Sequence, residues 1–273
     1  MPSYFITGAN RGLGFEFVKQ LSASPENVVF TLVRSKANSA NLLELQNKTG
    51  NIHVLEGDIT DTASLKSAAE EVKKVTGGTL NVLINNAALI GDNRSPWNLE
   101  AFFNDPNEKI LEEDINTAVR INAVSVAHTI NTFLPLLRTA AVTSTSRIVA
   151  ISSGLADPDA NSRGQFEWAV PYCVSKAALN MLIAKFAASL HEENIVILSV
   201  SPGFVNTAEK PPPPEQLPFL GQMMTAFKKA FPSWNSVPAA PVDSVTAMLD
   251  VINKAEKKDS GAWVSHKGNK EWL

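Results

Sequence analysis

Short β-rich runs alternate with helical runs along almost the whole chain of 273 residues, and this alternation limits the possible folds more than any other feature. The β-rich runs are short and mostly apolar, as strands are when helices cover both faces of a sheet. Strands that alternate with helices predict right-handed βαβ units and a parallel sheet. The fold class is therefore α/β: one doubly wound domain over residues 1–273, with about seven parallel strands and helices on both faces.

The strands and helices are predicted from the spacing at which apolar residues recur and from the residues that end each run. We predict strands at residues 3–7, 28–33, 52–55, 80–84, 147–151, 195–200 and 262–265. We predict helices at residues 13–23, 61–75, 108–137, 171–191 and 242–257. The one long irregular stretch, residues 204–241, has a length that is typical of a functional or mobile loop.

Composition excludes several classes of protein. Hydrophobic residues make up 44% of the chain and charged residues 19%, which supplies a core and excludes a wholly disordered chain. A net charge of −3 offers no basic surface for nucleic acid, and no apolar run reaches the ~20 residues of a membrane span. The four histidines are scattered, so no metal site is predicted. Because the chain has one cysteine and no signal-peptide pattern at its start, we predict a cytoplasmic location.

A glycine pattern follows the first predicted strand and begins the first helix. The spacing G-x-x-x-G-x-G lets the backbone turn sharply and approach a pyrophosphate at the helix N-terminus. The alternative is a tight turn without a ligand, but the strand before and the helix after favour a Rossmann-type dinucleotide site. The loop residues expected to bind the cofactor are Gly8, Asn10, Arg11, Gly12, Leu13 and Gly14.

The choice between NAD and NADP depends on the end of the second strand. An NAD site places an acid about 20 residues past the glycines, but that position is Arg34, and no acid lies between residues 28 and 40. Arg11 adds a second guanidinium, and two guanidiniums can pair with a 2′-phosphate. The alternative is that both arginines are solvated surface residues. The missing acid favours NADP(H).

A tyrosine and a lysine four residues apart begin a predicted helix. Tyr172 and Lys176 lie on one helical face, where the ammonium could favour a phenolate whose reference pKa is ~10. An amphipathic helix that happens to contain both residues is the alternative. Ser152 and Ser153 end a buried strand at the edge where α/β sheets bind ligands. Side chains alternate along a strand, so only one of the two serines can face the site.

The ordered set of motifs resembles the short-chain dehydrogenase/reductase family over nearly the whole chain. The end of the chain, residues 261–272, is similar to the sniffer-type carbonyl reductase and C-factor branch. The matching motifs are Thr7-Gly8-x-x-x-Gly12-x-Gly14, Asp58, Asn85-Asn86-Ala87, Asn122, Ser153, Tyr172-x-x-x-Lys176 and Pro202-Gly203-x-Val205-x-Thr207.

The resemblance implies a catalytic role for four residues. Tyr172 would give its proton to the carbonyl oxygen, and Lys176 would lower the tyrosine pKa and bind the nicotinamide ribose. Ser153 would polarise the carbonyl group. Asn122 would bend its helix and help to hold a water that relays protons to Lys176.

The resemblance also implies further cofactor contacts. Asp58 would contact the adenine, and Asn86 would line the groove. Pro202, Gly203 and Thr207 would flank the carboxamide. The remaining contacts would be Ile59, Ala87, Ala88 and Val205, together with Tyr172 and Lys176. Two departures stand out: Ala88 replaces a usual glycine, and a polar insert at residues 157–167 lengthens the serine–tyrosine spacing.

The substrate side is predicted from the apolar residues within residues 204–241, which in the family cover the substrate. Aromatic and methionine side chains form an adaptable apolar wall. A lid helix that buries its own face, or a subunit interface, are the alternatives. We predict an NADPH-dependent reductase of a bulky apolar or aromatic ketone or aldehyde. An NADP-dependent alcohol dehydrogenase working in oxidation, or a catalytically silent NADP(H)-binding regulator, are the alternative functions. The family includes homodimers, homotetramers and monomers.

Overall fold

A parallel sheet forms the centre of the computed structural model, which describes residues 1–91, 93–208 and 210–273. The strand order β3-β2-β1-β4-β5-β6-β7 confirms the predicted doubly wound topology with seven parallel strands in the described chain. The strands are β1 (Ser3–Thr7), β2 (Val28–Val33), β3 (Ile52–Glu56), β4 (Val82–Asn85), β5 (Ser146–Ile151), β6 (Ile195–Ser201) and β7 (Trp263–Ser265).

Helices cover both faces of this sheet. They are α1 (Gly12–Ser22), α2 (Ala40–Thr49), α3 (Thr62–Thr76), α4 (Leu99–Phe103), α5 (Ile110–Val119), α6 (Ser125–Ala141), α7 (Pro158–Gly164), α8 (Val170–Ser189), α9 (Leu217–Ala230) and α10 (Pro241–Lys254). None of the helices in the described ranges is long and apolar enough to cross a membrane.

The core is divided by the sheet into two apolar layers. Neighbouring residues of β1 point to opposite layers, with Phe5 packed among α3, α6 and α8 and Ile6 packed among α1, α2 and α10. Both side chains are fully buried. Because β1 buries apolar side chains on both of its faces, the sheet needs helices on both sides.

Three predicted segments differ from the structure. The predicted helix at residues 108–137 runs from 110 to 141 with a π-helical segment, Arg120–Val124, between α5 and α6. Helix α2 has no counterpart among our predictions. The supposed polar insert at residues 157–167 contains α7, which begins after Asp157 because that carboxylate accepts the Asp159 amide hydrogen at 2.9 Å. Helix α9 occupies part of the stretch described above as irregular.

Candidate active site

The candidate site lies at the carboxyl edge of the sheet, between β1 and β4, where the strand order reverses. Open α/β sheets bind ligands at such a switch point. The Thr7 hydroxyl oxygen joins the two strand ends, since it accepts from the backbone N–H groups of Asn86 at 3.1 Å and Ala87 at 3.0 Å. A cavity of about 1040 Å³, called the cleft below, opens along this edge.

The glycine loop forms one end of the cleft and requires glycine for two reasons. Gly8 and Gly12 have φ angles of +70° and +57°, in the left-handed region that favours glycine. A Cβ atom on Gly14 would lie 2.3 Å from the Gly8 carbonyl oxygen. Arg11 precedes α1 and makes no side-chain capping bond there, so within the described residues the first amides of the helix are left without a capping side chain. This cradle fits a pyrophosphate bound at a helix N-terminus.

Asn86 holds this loop in place. Its side-chain amide donates to the carbonyl oxygens of Thr7 and Gly8, at 3.0 Å each. The amide is therefore used to fasten the loop to the end of β4, while the residue also lines the cleft.

Cations and one carboxylate lie at the same end of the cleft as the glycine loop. The side chains of Arg11, Arg34 and Arg120 line it, and Asp58 is the one acidic residue among the described lining residues. Burial alone would raise the pKa of Asp58, but two hydrogen bonds from Thr60 and the guanidiniums of Arg34 and Arg120 hold that pKa below its usual value. A charged Asp58 with two neighbouring guanidiniums leaves the region able to accept a further anion.

The two candidate serines point in different directions. Ser152 is almost fully buried and donates from its hydroxyl to Asn180 Oδ1 at 2.6 Å. The Ser153 hydroxyl accepts from the Leu155 N–H at 3.2 Å and lies close enough to the Tyr172 side chain to act on the pKa of the phenol. The structure therefore brings Ser153, and not Ser152, to the tyrosine.

The acid–base properties of the tyrosine and lysine differ from the expectation. Burial raises the pKa of Tyr172 to about 12, although the hydrogen bond from Ser153 acts in the opposite direction. Burial also lowers the pKa of Lys176 to about 7. The Lys176 Nζ atom donates to the Ile151 carbonyl oxygen at 2.7 Å and lies 5.7 Å from the centre of the tyrosine ring. The predicted lowering of the tyrosine pKa by Lys176 is therefore not found, because desolvation of the phenol dominates.

Asn122 lies in the π-helical segment and is fully buried. Its amide nitrogen donates to the Leu89 carbonyl oxygen at 2.8 Å and to the Ser175 hydroxyl at 2.9 Å, while its oxygen accepts from the Leu89 N–H at 2.7 Å. The residue therefore connects the segment after β4 to α8, between Tyr172 and Lys176. Single-turn π segments often occur at functional sites. The predicted water beside Asn122 stays a prediction.

The helix that carries Tyr172 and Lys176 has a strained start. Ala169 precedes α8 with a φ angle of +54°, which is unfavourable for a residue with a Cβ atom. Its N–H group donates to the Ser95 carbonyl oxygen at 2.9 Å, and Pro171 lies in the first turn. Such backbone strain persists only where the surrounding structure fixes it. The first turn of α8, and with it Tyr172, is held by the loop after β4.

Aromatic residues from distant parts of the chain form the other end of the cleft. Phe227 contacts the rings of Phe166 and Phe204, with ring centres 5.3 and 5.2 Å apart. The apolar residues of the cleft on this side are Leu155, Phe166, Phe204, Met223, Phe227, Phe231, Trp272 and Leu273, called the aromatic wall below.

Helix α9 lies partly at the cleft and partly against other apolar side chains, while substrate contact and a subunit interface for residues 204–241 stay predictions. Met223, Phe227 and Phe231 contribute to the aromatic wall. Phe219 instead packs its edge on Trp168, with ring centres 5.9 Å apart, and Leu217 is exposed. One part of the segment faces the cleft, and another part buries its own apolar side chains.

Every predicted cofactor residue lines the cleft, whereas Asn122 lies behind it. The lining residues among our predictions are Gly8, Asn10, Arg11, Gly12, Leu13, Gly14, Arg34, Asp58, Ile59, Asn86, Ala87, Ala88, Ser153, Tyr172, Lys176, Pro202, Gly203, Val205 and Thr207. Sequence reasoning missed Leu155, Phe166 and Trp272 on the opposite side. The only sequence signal for them was their aromatic or apolar character near the insert and near the end of the chain.

A switch-point cleft with a glycine cradle beside a serine–tyrosine pair defines a dinucleotide-dependent α/β oxidoreductase. The family model described as short chain dehydrogenase matches residues 3–216. The chain belongs to this family of short-chain dehydrogenases/reductases, and it is an oxidoreductase.

The following relatives and solved structures match this chain over all or nearly all of its length and of their own. The chain is 41% identical over 280 residues to the short-chain dehydrogenase/reductase AacuF of Aspergillus aculeatus and 38% identical over 278 residues to the short chain dehydrogenase virK of Hypocrea virens, with 100% of each chain covered in both cases. The NADPH-bound carbonyl reductase from chicken fatty liver is 28% identical, with a TM-score of 0.78. The carbonyl reductase Sniffer of Drosophila melanogaster is 25% identical, with a TM-score of 0.78. Both structures cover 98% of each chain.

Proposed function

We propose that this protein is an NADPH-dependent reductase that transfers hydride to the carbonyl group of a bulky apolar or aromatic ketone or aldehyde, with Tyr172 as the general acid. The observation that carries this proposal is that Ser153, Tyr172 and Lys176 lie together at the cleft, between the glycine cradle and the aromatic wall. Membership of the family makes a nicotinamide dinucleotide the expected cofactor.

The preference for NADP(H) rests on charge. Arg34 directly follows β2, where an NAD site has a carboxylate, and Arg11 of the glycine loop lines the same cleft. Neither guanidinium forms a salt bridge within the described chain, so both are available to a 2′-phosphate. The similar carbonyl reductase from chicken fatty liver was solved with NADPH bound.

Proton transfer is the task of the tyrosine. When bound, the dihydronicotinamide supplies a hydride to the carbonyl carbon. Since its pKa is raised to about 12, Tyr172 stays protonated at neutral pH and can give its proton to the carbonyl oxygen as negative charge develops there. The Ser153 hydroxyl lies beside the phenol and would donate to the same oxygen.

Lys176 would supply the positive charge that is needed once Tyr172 has given up its proton. A pKa of about 7 makes both protonation states of its amine accessible near neutral pH. Its ammonium form would stabilise the phenolate that remains after Tyr172 has given up its proton, and the same Nζ would bind the nicotinamide ribose. Asn122 would act by holding the Leu89 backbone and Ser175 in place around the lysine.

The substrate class follows from the aromatic wall. Leu155, Phe166, Met223 and Phe231 provide apolar surface. A carboxylate or phosphate buried against these side chains would lose hydration without gaining a hydrogen bond from them. A ketone or aldehyde with an apolar or aromatic body would bury that body against the wall.

The test is to measure oxidation of NADPH and NADH by the purified protein with aromatic ketones, aromatic aldehydes, quinones and small aliphatic ketones. We expect turnover with NADPH and the aromatic compounds, and a loss of roughly 10²- to 10⁴-fold in Tyr172→Phe with NADPH binding retained. The chain has one other tyrosine, so Tyr4→Phe is the matched control and should keep wild-type turnover.

The outcomes separate the competing functions. A preference for NADH would contradict the role assigned to Arg11 and Arg34. Turnover only of alcohols with NADP would establish the oxidative alternative at the same site. Tight NADPH binding without turnover of any carbonyl or alcohol would support a regulatory NADP(H)-binding protein and reject the reductase.

A further inference from the structure

We propose that Trp272 is a positioning residue of this site: its indole, anchored by Asp157, fixes the turn at Gly154 so that the Ser153 hydroxyl stays on Tyr172. The kinetic part of this inference rests on the proposed function, whereas its structural part does not. Trp272 lies far from the serine in sequence and reaches the turn only through the fold.

The indole occupies the place where residue 154 would carry a side chain. A Cβ atom on Gly154 would lie 2.5 Å from Trp272 Cβ and 2.6 Å from its Cγ. Trp272 is only 2% exposed, so the contact is closed to solvent. The backbone directly after Ser153 is therefore packed against the tryptophan with no room for displacement in that direction.

One carboxylate fixes the other end of the indole. The Trp272 Nε1–H donates to Asp157 Oδ2 at 2.5 Å, across 115 residues of sequence. The second oxygen of the same carboxylate, Oδ1, accepts from the Asp159 N–H at 2.9 Å and caps α7. Hydrogen bonds to a charged carboxylate are stronger than those between neutral groups, so the indole is fixed relative to the start of α7.

The turn between these anchors determines where the serine hydroxyl lies. The Gly154 N–H donates to the Ser201 hydroxyl at 2.9 Å, and the Leu155 N–H donates to the Ser153 hydroxyl at 3.2 Å. The same serine lies at the cleft with Tyr172 and acts to lower the pKa of its phenol. Because the position of the Ser153 hydroxyl depends on the path of residues 153–155, a shift of Gly154 would move the hydroxyl away from the phenol.

A second tryptophan provides an internal control. Trp263 stacks on Trp272 with ring centres 4.3 Å apart and an interplanar angle of 21°. Its Nε1 atom is buried, and no hydrogen-bond partner for it is found in the described residues. Trp263→Phe therefore removes an indole N–H group that has no hydrogen-bond partner among the described residues. Trp272→Phe removes the indole N–H group that donates to Asp157.

The kinetic experiment compares Trp272→Phe, Asp157→Asn and Trp263→Phe with the wild type, using NADPH and an aromatic ketone. We expect kcat to fall roughly tenfold or more in the first two variants, because small misplacements of a catalytic group are costly. The KM for NADPH should change less than about twofold in both, since neither residue contacts the glycine cradle. Trp263→Phe should keep the wild-type kcat, and the double variant of Trp272 and Asp157 should be no worse than either single one.

A second measurement reads the serine–tyrosine bond without any turnover. The chain has two tyrosines, so in a Tyr4→Phe background the ¹³Cζ NMR signal of labelled tyrosine reports Tyr172 alone. We expect Trp272→Phe and Asp157→Asn to shift this signal in the same direction and Trp263→Phe to leave it in place. Thermal unfolding of each variant shows whether it is folded.

The two measurements distinguish failure of the positioning role from failure of the proposed function. If folded Trp272→Phe and Asp157→Asn leave the Tyr172 signal where Trp263→Phe leaves it, the positioning role is wrong. A shifted signal in a protein that reduces no carbonyl would keep the positioning role and overturn the reductase.

Discussion

The two ends of the cleft are built in different ways. At the cofactor end the shape is made by backbone: Gly8 and Gly14 leave no room for a side chain, and Asn86 fastens the loop with its amide. At the substrate end the shape is made by large side chains such as Phe166 and Phe227, which meet edge to face with ring centres 5.3 Å apart. Backbone packed at these distances tolerates no added atom, whereas rings and methionines can rearrange around a change. We therefore expect alterations at the first end to weaken cofactor binding and alterations at the second to change substrate selectivity.

The largest effect is expected for Gly14→Ala at the cofactor end. The added methyl group would lie 2.3 Å from the Gly8 carbonyl oxygen and 2.5 Å from Asn86 Nδ2, so the loop must shift. Overpacking of this kind costs about 1–3 kcal/mol, which corresponds to an NADPH affinity about 5- to 150-fold weaker if the shift falls on the cradle.

Fluorescence titration with NADPH measures this loss, and Gly221→Ala is the control. Gly221 is also helical, and a Cβ atom there would meet nothing within 4 Å. An unchanged NADPH affinity in Gly14→Ala would show that the cradle is less rigid than the aromatic wall. The proposed difference between the two ends of the cleft would then be wrong.

Lys176, where the two ends meet, makes stability depend on pH. Its pKa is about 7 in the folded protein and 10.5 ordinarily, so between these values the unfolded chain binds more protons. The free energy of unfolding of the wild type should therefore rise with pH, by about 2 kcal/mol from pH 7 to pH 9. Lys176→Met should lack this rise.

Urea unfolding at several pH values measures the difference between the two proteins. Lys185→Met removes an exposed lysine of the same helix and should keep the wild-type pH profile. Parallel profiles for the wild type and Lys176→Met would mean that burial does not perturb the lysine, and its assigned role near neutral pH would lose its basis.

A smaller effect is expected at the part of the cofactor end where side chains, rather than the backbone, would bind the cofactor. Arg34→Asp replaces a guanidinium of the cleft with the acid that an NAD site has at this position. We expect roughly a tenfold lower kcat/KM with NADPH and a higher one with NADH, because a charge-assisted pair is replaced by repulsion.

Steady-state kinetics with both cofactors tests this change. Lys36→Asp makes the same change of charge two residues away, on an exposed side chain that does not line the cleft. Equal responses to both substitutions would indicate a general effect of charge and not a specific phosphate contact.

The smallest effect is expected at the aromatic wall. Phe231→Ala should raise the KM for a bulky aromatic ketone about severalfold and leave the KM for a small aliphatic ketone nearly unchanged, because one ring is worth about 1–3 kcal/mol when fully covered and less here. Phe231 is only partly buried, so neighbouring side chains can close part of the gap.

Phe103→Ala is the matched control, since Phe103 is 89% exposed on α4 and does not line the cleft. A loss of activity toward both classes of ketone in Phe231→Ala would mean that the wall supports the fold and does not select substrates.

Much of the cofactor end could be predicted because its signals are local in sequence. Gly8, Gly12 and Gly14 lie within one loop, and Arg34 follows the next strand at a fixed distance. Tyr172 and Lys176 are one helical turn apart. Each of these groups is held by the geometry of a single turn, strand or helix, which neighbouring residues largely determine.

The choice between Ser152 and Ser153 could not be made from sequence. Both follow β5, and only the structure shows that Ser152 is used by Asn180 while Ser153 meets Tyr172. The pKa of Tyr172 was likewise misjudged, because a lysine one turn away is visible in the sequence and the burial of the phenol is not.

By itself the sequence determined the alternation of strands and helices, the doubly wound sheet and the glycine loop at its switch point. The tertiary structure alone brought Leu155, Phe166 and Trp272 into the aromatic wall and made the contact between Trp272 and Gly154, which joins segments more than a hundred residues apart. Periodicity and turn chemistry act over a few residues, so they can be read along the chain. A contact across the fold depends on strand order and on how large side chains fill the space between loops, and neither is written in the neighbouring residues.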